Sequence, residues 1–175
     1  MPIHEDSIRD KLADHLTLID NDLDLISVNY PLPNSEGTRG FIDILARDRH
    51  GVFVVIELKR SKETSREALH EVMKYTELLQ RELGVDSSEI RAIIVSTHWA
   101  ELRVPFSHFK RSWSSEIRGY ELTLAEDDVT PVAALEVTSL AETSGRGITP
   151  VHLIILGRGD GFDVEAAWQE SISFA

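Results

Sequence analysis

Residues 41–60 read FIDILARDRHGVFVVIELKR. Two runs rich in apolar, β-branched residues flank a short polar turn, which is the pattern of a β-hairpin. If Arg49, His50 and Gly51 form a three-residue loop, Gly51 takes the left-handed position such loops need and Asp48 closes against Val52. In that register the numbers of every cross-strand pair sum to 100, so Asp43 falls opposite Glu57. Directly opposed side chains share a face, with Cβ atoms about 5 Å apart. Lys59, two residues beyond Glu57, points to that face as well. Ile42 and Ile44 against Val54, Ile56 and Leu58 are expected on the other face, as core.

Two opposed carboxylates repel, and the repulsion weakens a sheet. A proton shared between them or a cation held between them relieves it. On a solvated strand face the acids would pair with Arg47, Lys59 or Arg60. Here, however, Asp43 stands between Phe41 and Leu45, and Glu57 beside Val55. Charges among apolar neighbours need a specific partner. Mg²⁺ takes one or two carboxylates, with waters and substrate phosphates completing its shell. With Lys59 as a fixed positive charge, the set suits metal-assisted phosphodiester hydrolysis.

Outward from the hairpin, Ile8, Leu12, Leu16 and Ile19 form one stripe and predict an amphipathic helix over 4–19. Residues 24–33 read as a strand ended by prolines and 34–40 as a loop. Thr64 and Glu67 form a capping-box pattern, and Ala68, Val72, Thr76, Leu79 and Leu83 run down one face of the helix that follows. Gly84-Val85-Asp86 ends it. Residues 90–97 read as a buried strand, and 99–113 as a helix that Pro105 must begin or kink. A strand at 119–124 is followed by an acidic turn and a loop over 138–150. A strand at 151–156 and a short helix from Asp163 complete the order.

The length of 175 residues suits one domain. The absence of cysteine excludes disulfides and Cys-ligated zinc and points to a cytoplasmic location. The N-terminal MPIHEDSIRD has no secretory pattern, and no apolar run approaches the roughly 20 residues of a membrane helix, so no membrane association is expected. The net charge of −12 argues against a polyanionic partner, but its distribution matters. The acidic excess sits at the ends: residues 1–38 carry eight acids and two bases, and residues 119–175 carry ten acids and two bases. Residues 39–118 carry twelve acids and fourteen bases. The hairpin lies in this locally basic middle.

Asp43, thirteen intervening residues, then Glu57-Leu58-Lys59 resembles the PD-(D/E)xK nuclease signature, on the hairpin where that superfamily carries it. The wider text, GFIDILARDRHGVFVVIELKR with ALHEVMKYTELL after it, is most similar to the RecB-like branch that contains the NucS-type endonucleases, over residues 1–100. The resemblance implies an α/β fold with a restriction-endonuclease-like core, in α-β-β-β-α-β order, its mixed central sheet flanked by helices. It implies a Mg²⁺- or Mn²⁺-dependent nuclease, endo- or exonucleolytic, acting on DNA. Asp43 and Glu57 would hold the metal with the Leu58 main-chain carbonyl, and Lys59 would serve the attacking water and the phosphate.

An acid from the first helix often joins this site, and Glu5 is the candidate; otherwise it is an acid favourable to a helix N-terminus. The proline of the family label is replaced by Ile42. The glutamine that this branch places four residues before Tyr75 is replaced by Glu71, which either joins the site or occupies a solvated helix position. Arg60, Lys62 and Arg66 are candidates for phosphate contact. FSHFKRSW (106–113) interleaves aromatics with bases, as in a stacking platform for single strands or an amphipathic helix with a basic outer face. LGRGDGF (156–162) lacks the Gly-Lys-Ser/Thr ending of a phosphate loop and reads as a turn.

The nuclease reading has two rivals: a non-catalytic relative that binds nucleic acid or protein, and a recognition module whose effector is another chain. Residues 1–140 are expected to form the nuclease-like domain. Residues 141–175 would form a strand-helix extension packed on it, completing the sheet, forming a homodimer edge or contacting a further subunit.

Overall fold

The computed structural model describes residues 5–32, 40–60 and 67–140, all within the unit Met1–Leu140. The hairpin has the expected register. Strands β2 (Gly40–Arg47) and β3 (Phe53–Lys59) pair antiparallel from Arg47↔Phe53 to Ile44↔Ile56. Gly51 has φ 84° in the loop, and the Asp48 N–H donates to the Val52 carbonyl at 3.0 Å. Asp48 Oδ1 also accepts from the His50 and Val52 N–H groups, so one aspartate organises the turn.

Around the hairpin runs a mixed sheet of six strands in the order β1-β2-β3-β4-β5-β6. β1 (Asp24–Leu32) pairs antiparallel with β2, β4 (Ile90–Ser96) parallel with β3, β5 (Ile117–Leu124) parallel with β4, and β6 (Pro131–Glu136) antiparallel with β5. α1 (Glu5–Ala13) covers one face, where Ile8 and Leu12 meet Ile44, Ile56, Leu58, Ile93 and Val95. α2 (Ala68–Leu83) and α3 (Arg103–Ser112) supply apolar residues to the two other core clusters. Full burial of each such Leu or Ile contributes about 1.5–3 kcal/mol. The α-β-β-β-α-β order expected of the core is present.

Several expectations need correction. The first helix ends at Ala13, not at residue 19, and a single 3₁₀ turn, Leu16–Leu18, follows. His15 causes the break: its Nδ1 donates to the Lys11 carbonyl at 2.7 Å, and its main-chain N–H turns to Leu12 instead. Leu16 and Ile19 are buried in the same cluster nonetheless. Ile42 joins Leu45, Val55, Tyr75 and Leu79 on the α2 side, not Ile44 on the α1 side. The regular alternation fails between them, where Asn29 of β1 has φ 52° and the β2–β3 ladder has ended. Leu83 stays 37% exposed, past the last buried turn of α2, and Gly84 ends that helix with φ 65°.

β6, an edge strand in this sheet, falls between the acidic turn and the loop over 138–150, in residues to which the sequence reading assigned no element. Its Pro131 opens the strand, a position where the missing N–H does no harm. Phe106 is fully buried edge-on to Trp99 at 5.1 Å, and Phe109 stacks on Trp113 at 4.7 Å, so these rings are occupied by one another. α3 is therefore the amphipathic helix and not a stacking platform. Thr64 and the segments expected as a turn, strand and helix beyond residue 140 lie outside the described residues. No helix among the described residues is long and apolar enough to cross a membrane.

Gly119 of β5 lies beneath Trp99 and Phe106, and a Cβ there would run into the Trp99 ring. The ring is tied to the same strand, because Trp99 Nε1–H donates to the carbonyl of the neighbouring Tyr120 at 2.9 Å. Gly119→Ala should therefore cost about 2 kcal/mol, read as a lower midpoint in urea unfolding with unchanged slope.

Candidate active site

The hairpin carries its acids to the C-terminal end of β3, one step beyond its last pair with β2. There Asp43 Oδ2 accepts the Leu58 N–H at 2.9 Å, so a side chain takes the place of the next ladder bond. Glu57 is 2% exposed and Lys59 7%. The Lys59 ammonium lies 2.6 Å from Glu57 Oε1, 2.7 Å from Glu71 Oε2 and 3.9 Å from Glu5 Oε1. Glu5, at the start of α1, also accepts the Arg60 N–H at 2.8 Å through Oε2. Thus β2, β3, α1 and α2 each bring one or two groups to one place.

Glu71 is not at a solvated helix position. Its Oε1 lies 3.5 Å from the Tyr75 hydroxyl, at the limit of hydrogen bonding. The Tyr75 ring packs on Gly40, where a Cβ would come within 2.9 Å of it, so the opening glycine of β2 makes room for the ring. The sequence reading uses Tyr75 only as a landmark of the resemblance, with no role at the site, and assigns none to Gly40. Both act through contacts between elements, which spacing along the chain does not reveal.

The electrostatics follow from crowding. Burial first, and the Asp43 charge next, push Glu57 well above the usual carboxylate range, against the pull of Lys59. Burial raises Asp43 too, opposed by the Leu58 N–H and the Lys59 charge. Burial works to raise Glu71 as well, but hydrogen bonds with Lys59 and Glu57 outweigh it and hold Glu71 below its ordinary value. Lys59 is raised, because Glu57 and Glu71 overcome the burial that opposes its charge. Burial and the Glu71 charge raise Tyr75. Glu57 and Glu71 thus form a pair that can share one proton, which is not the Asp43–Glu57 pair for which a shared proton was expected.

The donor set also suits a hard cation. Glu57 Oε2 is buried without a hydrogen-bond donor, and Asp43 is a second, half-buried carboxylate beside it. Among the described residues no group of three or more His, Asp or Glu side chains is arranged around a metal position. Two carboxylates with a main-chain carbonyl are nevertheless within what Mg²⁺ accepts from a protein. Arg60 stands at the edge of the site, while Lys62 and Arg66 lie outside the described residues.

A mixed sheet in this order, with two carboxylates and a lysine at the ends of its antiparallel hairpin, defines an α/β domain of restriction-endonuclease-like fold. Residues 4–102 match the family described as the endonuclease NucS C-terminal domain, and the chain belongs to that family. A curated relative, Endonuclease NucS of Kocuria rhizophila, is 37% identical over 71 residues, covering 41% of this chain and 28% of the relative. Two solved structures are similar: an EndoMS complex with dsDNA (TM-score 0.47, 21% identity) and a repair endonuclease from Pyrococcus abyssi (TM-score 0.46, 18% identity). Each match covers 68% of this chain, but only 45% and 47% of those chains.

Proposed function

We propose that this domain is a metal-dependent nuclease that hydrolyses DNA phosphodiester bonds. The observation that carries the reading is buried Glu57 beside half-buried Asp43 with Lys59 at its side, Glu57 Oε2 having no donor. Family membership supports it. Asp43, Glu57 and the Leu58 carbonyl would hold Mg²⁺ or Mn²⁺. Bound there, the ion would supply charge stabilisation at the phosphate and a more acidic water. The Lys59 ammonium, fixed by Glu57 and Glu71, offers a proton donor to a phosphate oxygen or holds the attacking water. Glu5 spends one oxygen on the Arg60 N–H, so it serves the site by fixing where β3 ends.

One observation favours the non-catalytic rival. Lys59 is engaged by Glu57 and Glu71 within 2.7 Å and by Glu5 at 3.9 Å, a net negative surround that repels a phosphodiester unless a cation joins it. Cleavage of labelled single-stranded, duplex and branched DNA with Mg²⁺ or Mn²⁺ separates the readings. Cutting that is lost in both Asp43→Ala and Lys59→Ala supports the nuclease. DNA bound but never cut, in any form and with either metal, rejects it.

A further inference from the structure

Lys59 ends β3, and the pair Lys59↔Ser96 is the last rung between β3 and β4. Strand ends past the last rung fray, yet the chain leaving Lys59 is held from two sides. From α1, Glu5 accepts the Arg60 N–H at 2.8 Å. From the end of β4, the Thr97 N–H donates to the Lys59 carbonyl at 3.3 Å. The Thr97 hydroxyl donates to the Arg60 carbonyl at 2.8 Å, and His98 Nδ1 lies 2.8 Å from the same oxygen. A carbonyl oxygen only accepts, so Nδ1 carries a proton there, and Thr97 Oγ1 lies 2.9 Å from it. The fully buried Ser96 closes the turn: its hydroxyl accepts the His98 N–H and donates to the His98 carbonyl, both at 3.1 Å.

We propose that Thr97 and His98 are positioning residues for Lys59. They pin the main chain at Lys59–Arg60 from the β4 side as Glu5 does from α1, so that the ammonium rises from a fixed point between Glu57 and Glu71. The proposal rests on the nuclease reading for its consequence, since a small misplacement of a catalytic group costs rate rather than substrate affinity. The two residues touch no reacting atom in this assignment; they act through the main chain.

The test uses the full chain with duplex DNA and Mn²⁺. The double variant Thr97→Val, His98→Ala should lower kcat roughly tenfold, with KM within about twofold of the parent. A single exchange at His98 distinguishes the two ring nitrogens. His98→Asn, whose amide N–H reproduces Nδ1, should retain the parental kcat, and His98→Gln, which reproduces Nε2, should not. Parental kcat in the double variant overturns the proposal, as does retention by glutamine but not by asparagine. Amide hydrogen exchange at Arg60 provides a readout independent of cleavage, and it should be several-fold faster in the double variant. If the parent cuts no DNA in any form with either metal, the nuclease reading fails on that result alone. Exchange then decides the pin: faster exchange supports it, and unchanged exchange overturns it.

Discussion

Asp43→Asn should abolish cleavage, by at least about 10³-fold in kcat, while leaving the folded chain more stable by about 1 kcal/mol. The two effects have one cause. The asparagine amide keeps an oxygen to accept the Leu58 N–H, so the strand end is preserved. It removes a charge that burial and the Glu5 charge make costly and that in turn raises Glu57. Because the folded protein holds the Asp43 proton more tightly than the unfolded chain, ionised Asp43 weakens folding, and the advantage of the variant grows as pH rises through that raised value. Under the proposed nuclease reading the same change removes a ligand for the cation. Adding Mg²⁺ or Mn²⁺ should therefore raise the melting temperature of the parent and not that of Asp43→Asn. A variant that melts lower than the parent without metal would refute the stored repulsion, and one that still cuts would refute the assignment of Asp43.

Lys59→Met should have the opposite effect on stability. It leaves Glu57 and Glu71 buried or half-buried without their shared cation, at a cost of about 3 kcal/mol near pH 8. Glu57 is already raised in the parent, so its contribution to stability is present below its unfolded value and is lost as pH rises through the folded one. Without Lys59, Glu57 rises further and Glu71 rises with it. The deficit of the variant should accordingly shrink on acidification, and approach zero only once the pH has fallen through the lowered value of Glu71 in the parent, which stays ionised beside Lys59 after Glu57 has taken its proton. Urea unfolding at a series of pH values measures this. In a Glu71→Gln background the penalty should fall substantially, because one of the two stranded charges is gone. A pH-independent deficit would mean that packing of the lysine stem, and not charge, is what was lost.

The hairpin was legible because its information is local. Loop length, Gly51 and Asp48 set the register within a dozen residues, but the ladder ends at Ile44↔Ile56, so Asp43 meets the Leu58 N–H beside Glu57 and does not pair across from it as expected. The reading erred where a side chain does the work of the backbone. His15 takes the carbonyl that would have continued α1, and Asp43 takes the N–H that would have continued the β2–β3 ladder, near the point where Ile42 changes clusters. β6 carries Pro131, Ala133 and Ala134, poor strand formers, and is a strand because β5 offers a partner. Thr97 and His98 stand 38 and 39 residues from Lys59 in sequence, and only the parallel pairing of β3 with β4 joins them. No periodicity could have named them.

The three-residue loop at Arg49–Gly51 has a further consequence, for how the chain tolerates changes in length. Loops at hairpin tips commonly accept an extra residue with little penalty. Here one residue more or less, taken up as a slip of β3 against β2, would turn Glu57 and Lys59 to the opposite face and carry Leu58 away from the Asp43 carboxylate. The tip of the hairpin, far from the chemistry along the strand, is thus part of the site in the sense that its length sets the pairing of the acids. Insertions and deletions compatible with function must be absorbed elsewhere, for example between β5 and β6, where no pairing of these acids depends on the count.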